Sequence, residues 1–118
     1  MRYMLLIYQG TTPTPQNEGW AQLSEEERAE VFAAYREVSG APGVTPGEQM
    51  QPPEAATTVQ VKDGTTLATD GPFAETKEAI GGYLFLEADS PEAAIDLAAR
   101  IPAARMGGAV EVRPLVRP

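Results

Sequence analysis

Ile80-Gly81-Gly82-Tyr83-Leu84-Phe85-Leu86 is apolar at both parities, the pattern of a strand covered on both faces, and its paired glycines call for a bulge or a close backbone approach. The run Tyr3-Met4-Leu5-Leu6-Ile7-Tyr8 reads the same way and is too short for a stable helix. Both are expected to be central strands. By contrast, Val59 to Val61 and Val110 to Val112 alternate apolar with polar residues, as half-exposed outer strands do, and Pro114 stands where an edge strand tolerates it.

Helix signals separate these runs. Ser24-Glu25-Glu26-Glu27 is a capping box in which Ser24 accepts from the N3 amide while Glu27 reaches back, and the acidic first turn suits the helix dipole. Val31, Phe32, Tyr35 and Val38 form the apolar stripe that follows, and Gly40, Pro42 and Gly43 stop it. Ser90-Pro91-Glu92 opens a second helix with Ala94, Ile95, Leu97, Ala98 and Ile101 inward, ended by Pro102. Thr57 to Lys62, Asp63-Gly64 and Thr65 to Ala68 spell a hairpin with a type I′ turn. Residues 41–54 read as Pro- and Gly-rich connection. Gln9 to Trp20 is a long loop of the kind that forms lids or stays disordered, with Trp20 anchoring its end.

Strand, helix, strand hairpin, strand, helix, strand is the order of an α+β, ferredoxin-like (split βαβ) protomer with an extra hairpin. Two helices cover only one face of such a sheet. The other face leaves alternate members of Met4, Leu6, Tyr8, Leu84 and Leu86, or of their neighbours, in water. A homodimer with its sheets face to face, a dimeric α+β barrel, is therefore expected.

The 118 residues suit one domain spanning 1–118, and the formal charge of -8 repels phosphate backbones and anionic lipid heads, so neither nucleic acid nor membrane is an expected partner. No cysteine is present, which removes disulfides and thiolate chemistry, and no histidine, so an acid or base must be a carboxylate, Lys or Tyr with a shifted pKa. The N-terminal apolar run is too short for a signal segment or a membrane span, and the chain reads as cytoplasmic. Seven Arg against two Lys, with abundant Ala, Gly and Pro, fits a GC-rich bacterial genome. The acidic residues match no EF-hand, zincin or facial-triad spacing, and no phosphate-binding Gly loop occurs, so no metal and no cofactor is expected.

Thr69-Asp70-Gly71-Pro72-Phe73-Ala74-Glu75-Thr76-Lys77-Glu78 holds turn chemistry, an aromatic and four charges, more than a tight turn needs. Asp70 reads as a turn or cap carboxylate or as a ligand contact, and Phe73 as a core plug or a platform at a cleft edge. Glu75 and Glu78 suit a solvated helical turn, and Lys77 becomes a base or nucleophile only if desolvated. Arg105 either pairs with a motif acid or binds an anion. The candidate ligand contacts are thus Asp70, Gly71, Pro72, Phe73, Lys77, Tyr83 and Arg105, with Asp70 or Glu75 the candidate catalytic carboxylates.

Tyr3 to Tyr8, Gln51-Pro52-Pro53, Ala56 to Val59, Thr69 to Glu78, Ile101 to Arg105 and Val110 to Pro114 together make the chain resemble the DGPF proteins of the YCII-related family over almost its whole length. The resemblance implies a dimeric α+β barrel. It implies no established reaction, and it brings an association of some members with extracytoplasmic-function sigma factors. In smaller relatives a His on the first helix and an Asp before the Pro after the second helix are a proposed catalytic pair. Here the first helix has no His and Ile101 precedes Pro102, so the pair is not carried over.

These readings lead to a dimeric module whose cleft, between the helices and the sheet near residues 70–83, binds a small molecule or a partner. Two alternatives stand beside it: an enzyme using Asp70 or Glu75, with Tyr83 or Arg105 steering charge, and a sigma-factor-associated interaction protein that docks through the loop Gln9 to Trp20.

Overall fold

The computed structural model describes residues 1–73 and 80–117. β1 (Arg2–Tyr8), α1 (Glu25–Ser39), β2 (Val44–Gln49), β3 (Thr57–Lys62), β4 (Thr65–Asp70), β5 (Ile80–Glu87), α2 (Pro91–Ala99) and β6 (Ala109–Pro114) follow in order. Four strands form an antiparallel sheet in the order β2-β5-β1-β6, while β3 and β4 form a separate two-stranded sheet. β1 and β5 are central, as their apolar runs require.

Strand alternation divides the sheet's residues between two faces. Tyr3, Leu5 and Ile7 of β1 and Leu84 and Leu86 of β5 are buried under the helices with Val38, Ala94, Leu97, Ala98, Ile101 and Ala103. Met4, Leu6 and Tyr8 point the other way with Tyr83 and Phe85, since Leu6 stands opposite Tyr83 and Met4 opposite Phe85. All five are only partly covered. Leu84 and Leu86 thus belong to the helix side, and their neighbours Tyr83 and Phe85 take the open one.

The caps form as their residues dictate. Glu27 N–H donates to Ser24 Oγ at 3.0 Å and Ser24 N–H to Glu27 Oε1 at 2.9 Å, while Ala93 N–H donates to Ser90 Oγ at 3.1 Å. Asp63 and Gly64 both take positive φ, 51° and 76°, the type I′ geometry expected between β3 and β4.

Three expectations are corrected. The second strand of the main sheet is β2, within the stretch read as connection, and the outer strand expected at Val59 to Val61 pairs only with β4. Ile95 is 58% exposed and lies on the solvent side of α2, because Ala94, Leu97 and Ala98 already complete the buried stripe. Phe32 is about half exposed, and its ring meets Trp20 rather than the core.

Candidate functional site

A cleft opens between α1, the Gln9–Trp20 loop and the β2–β5 side of the sheet. Its cavity is about 290 Å³, near the lower end of ligand-sized pockets. Ile7, Val31 and Leu84 form its floor, and Trp20, Phe32 and Tyr35 its aromatic wall. The Trp20 and Phe32 rings meet edge to face, centroids 5.1 Å apart.

The loop is held in place by its own polar residues. Asn17 Nδ2 donates to the Thr12 carbonyl at 2.8 Å, Thr14 N–H to Asn17 Oδ1 at 3.2 Å, and Thr11 N–H to the Gly107 carbonyl at 3.2 Å. Arg28 on α1 donates to the carbonyls of Trp20 and Ala21 at 3.0 and 3.1 Å, fixing the short helical turn Glu18–Gln22. Gln49 Nε2 reaches Gln16 Oε1 at 2.9 Å and ties the loop to the end of β2. The stretch expected to be a lid or disordered is a built wall, and Trp20, expected to anchor it to the core, packs instead on the half-exposed Phe32.

Gln9 is the central polar group. Its side chain crosses Gly81 so closely that a β-carbon there would collide with Gln9 Cγ. The register of β1 on β5 also slips at this point, from Ile7 opposite Gly82 to Tyr8 opposite Ile80, which is the bulge that the paired glycines called for. Gln9 Oε1 is buried without a hydrogen-bond partner among the described residues. Burial raises the Tyr35 phenol above its ordinary value, and the neighbouring Gln9 amide works in the opposite direction. Among the described residues no Lys or Arg lines the cavity, and Glu48 is the one carboxylate, on an exposed residue. A second cavity of about 390 Å³ shares Gln9, Thr14, Gln49 and Gly81 with the first and continues toward Met50 to Glu54.

Of the residues expected at the site, Tyr83 and its neighbours Gly81 and Gly82 line this cleft. Asp70, Gly71, Pro72 and Phe73 do not. They end the β3–β4 hairpin, where Gly71 N–H donates to the Ala56 carbonyl at 2.8 Å and Thr58 Oγ1 to the Gly71 carbonyl at 2.7 Å. Phe73 is 77% exposed, which corrects the expectation that it is buried, and Asp70 is exposed as well. Glu75 and Lys77 lie outside the described residues. Arg105 follows the turn Pro102–Ala104 on the surface and makes no ion pair among the described residues, and Ile101 is a core residue at 1% exposure. Gln9 and Trp20 were expected only as the ends of a docking loop, and Tyr35 escaped assignment to a site because an aromatic on a helix stripe reads as ordinary packing.

The fold and cleft define a small α+β protein with one sheet face covered by two helices and a cavity walled by an ordered loop. The chain belongs to the YCII-related family, whose domain model matches residues 1–117. It is 34% identical over 118 residues to an uncharacterised protein of Rhizobium meliloti (strain 1021), covering 98% of this chain and 92% of the relative. Among solved structures it is similar to the 5-chloro-2-hydroxyhydroquinone dehydrochlorinase TftG of Burkholderia phenoliruptrix AC1100 in complex with 2,5-dihydroxybenzoquinone. That likeness has a TM-score of 0.48 and 16% identity, covering 100% of this chain and 96% of the other. Among the described residues, no helix is long and apolar enough to cross a membrane.

Proposed function

We propose that the protein is a dimeric small-molecule-binding module, and that its cleft takes a compact, largely apolar, uncharged or cationic ligand offering at least one hydrogen-bond donor. Gln9 Oε1, buried without a partner among the described residues, carries this reading. A buried acceptor without a donor costs about 1–3 kcal/mol, and a ligand N–H or O–H removes that cost while the aromatic wall covers the rest of the molecule. Anions are disfavoured by the described lining, which offers them no cation and places Glu48 beside them. The dimer is supported by the half-covered Met4, Leu6, Tyr8, Tyr83 and Phe85 on the open sheet face. If the site carries catalysis, the carboxylate within reach among the described residues is Glu48, while Asp70 stands on the hairpin.

A thermal-shift panel of neutral phenols and anilines, aryl amines and the matching aryl carboxylates tests the reading. Donor-bearing neutral or cationic members should raise the melting temperature, the carboxylates should not, and Gln9→Leu should weaken the best binder about tenfold or more. Absence of any shift at millimolar ligand, or a preference for the carboxylates, would sink the proposal.

A further inference from the structure

Among the described residues, no layer packs against the β3–β4 hairpin. Residues 57–70 are exposed apart from the half-buried Thr58, with Val59, Val61 and Leu67 at 60%, 65% and 42% exposure. Val59 and Val61 share one face with their cross-strand partners Ala68 and Thr66. At its base, two hydrogen bonds hold the turn that presents the exposed Phe73. A lone two-stranded hairpin in water is marginal, so an extended arm displaying valines and a phenylalanine needs an outside partner.

The dimensions indicate how much partner is missing. The chain measures 52 × 41 × 18 Å with a radius of gyration of 16.2 Å, whereas a compact chain of this length has about 13.5 Å. Its accessible surface is 8121 Å² for 12.6 kDa, against about 6,200 Å² for a compact monomer of that mass. The excess of about 1,900 Å² is what one partner contributes to an obligate homodimer interface of about 2,000–5,000 Å² in total. Charge permits a second copy. The chain carries -8 overall, yet residues 57–70 hold only Lys62, Asp63 and Asp70, so the arm approaches a like-charged copy with little repulsion.

We propose that the β3–β4 arm reaches across a second copy of this chain and buries its Val59/Val61 face and Phe73 there. On this view the segment Asp70 to Phe73 acts in trans, as an anchor between protomers rather than as part of its own cleft. The proposal rests on the dimeric part of the functional reading and is independent of what the cleft binds.

Photo-crosslinking from p-benzoylphenylalanine at position 73, in mixed light and 15N-labelled protein, should give light–heavy crosslinked peptides. In sedimentation, Phe73→Asp and the double variant Val59→Glu/Val61→Glu should each weaken self-association at least about 30-fold. Their far-UV circular dichroism should be unchanged, since these side chains lack cover in the protomer. Crosslinks confined to one copy, or unchanged self-association in both variants, would overturn the proposal, as would a wild-type chain that stays monomeric at micromolar concentration. Cleft binding by such a monomer would leave the ligand reading standing.

Discussion

At Gly81 and Gly47 hydrogen is the only side chain the surroundings admit, but the obstacles differ in kind. A β-carbon at Gly81 meets the Gln9 side chain, which can rotate away, whereas one at Gly47 meets the Tyr83 carbonyl and its ring, with Tyr83 Cδ2 at 2.6 Å. Backbone in a paired strand moves only with its sheet, so the second collision costs more. Urea denaturation should show Gly47→Ala losing about 2–3 kcal/mol and Gly81→Ala about 1 kcal/mol or less. The Gly81 variant should still displace Gln9 and so weaken cleft ligands, a loss out of proportion to its effect on stability. Equal destabilisation by the two would mean that the close approach at Gly47 relaxes as freely as the one at Gly81.

The capping box allows a similar separation at the level of an element. Ser24→Ala should cost about 1 kcal/mol, since it leaves a helix N-terminal amide without its acceptor. Hydrogen bonds from the Ser24 backbone and then its side chain hold the Glu27 carboxyl below its ordinary value of 4.5. A lowered pKa means that the folded state holds its proton less tightly than the unfolded state does. Its stabilisation is therefore present above pH 4.5 and lost as the pH falls through the lower folded-state pKa. Glu27→Gln should lower the urea midpoint at pH 7, with the gap to wild type narrowing as the pH falls below 4.5. A gap that persists in acid would assign the effect to packing. This helix was legible because cap, acidic turn and apolar stripe all lie within a few residues of one another. β2 was hidden because Pro46 and Gly47 speak against a strand, and the sheet overrides them. Pro46 needs no N–H partner on an edge, and Gly47 makes room for Tyr83. The hairpin was legible as a hairpin, yet β propensity at Val59 and Val61 says nothing of which sheet receives it. The cleft was legible only at its Gly81–Tyr83 margin, since Gln9 becomes a site residue through contacts more than 20 residues distant in sequence.

At the scale of the whole molecule, the proposed dimer would supply cover for an open sheet face that carries Met4, Leu6, Tyr8, Tyr83 and Phe85 and for the exposed β3–β4 arm. The open face is not uniformly apolar. Arg2 lies over the Phe85 ring at 5.2 Å, Tyr8 Oη donates to Glu111 Oε1 at 3.4 Å, and Arg113 pairs with the same Glu111. Glu111 is thus paired with Arg113 and Tyr8 within the protomer, so a second sheet can cover that pair without isolating its charges. If folding and dimerisation are coupled, two chains of 118 residues unfold together, with an entropy of about 0.5 kcal/mol/K for the pair. A tenfold rise in protein concentration adds about 1.4 kcal/mol of mass-action stabilisation, which corresponds to about 3 °C in the melting temperature. Calorimetry from 5 to 500 μM should therefore show an upward drift of about 6 °C. A melting temperature that stays fixed across this range would mean that the protomer folds alone and that its open face and arm are stable in water.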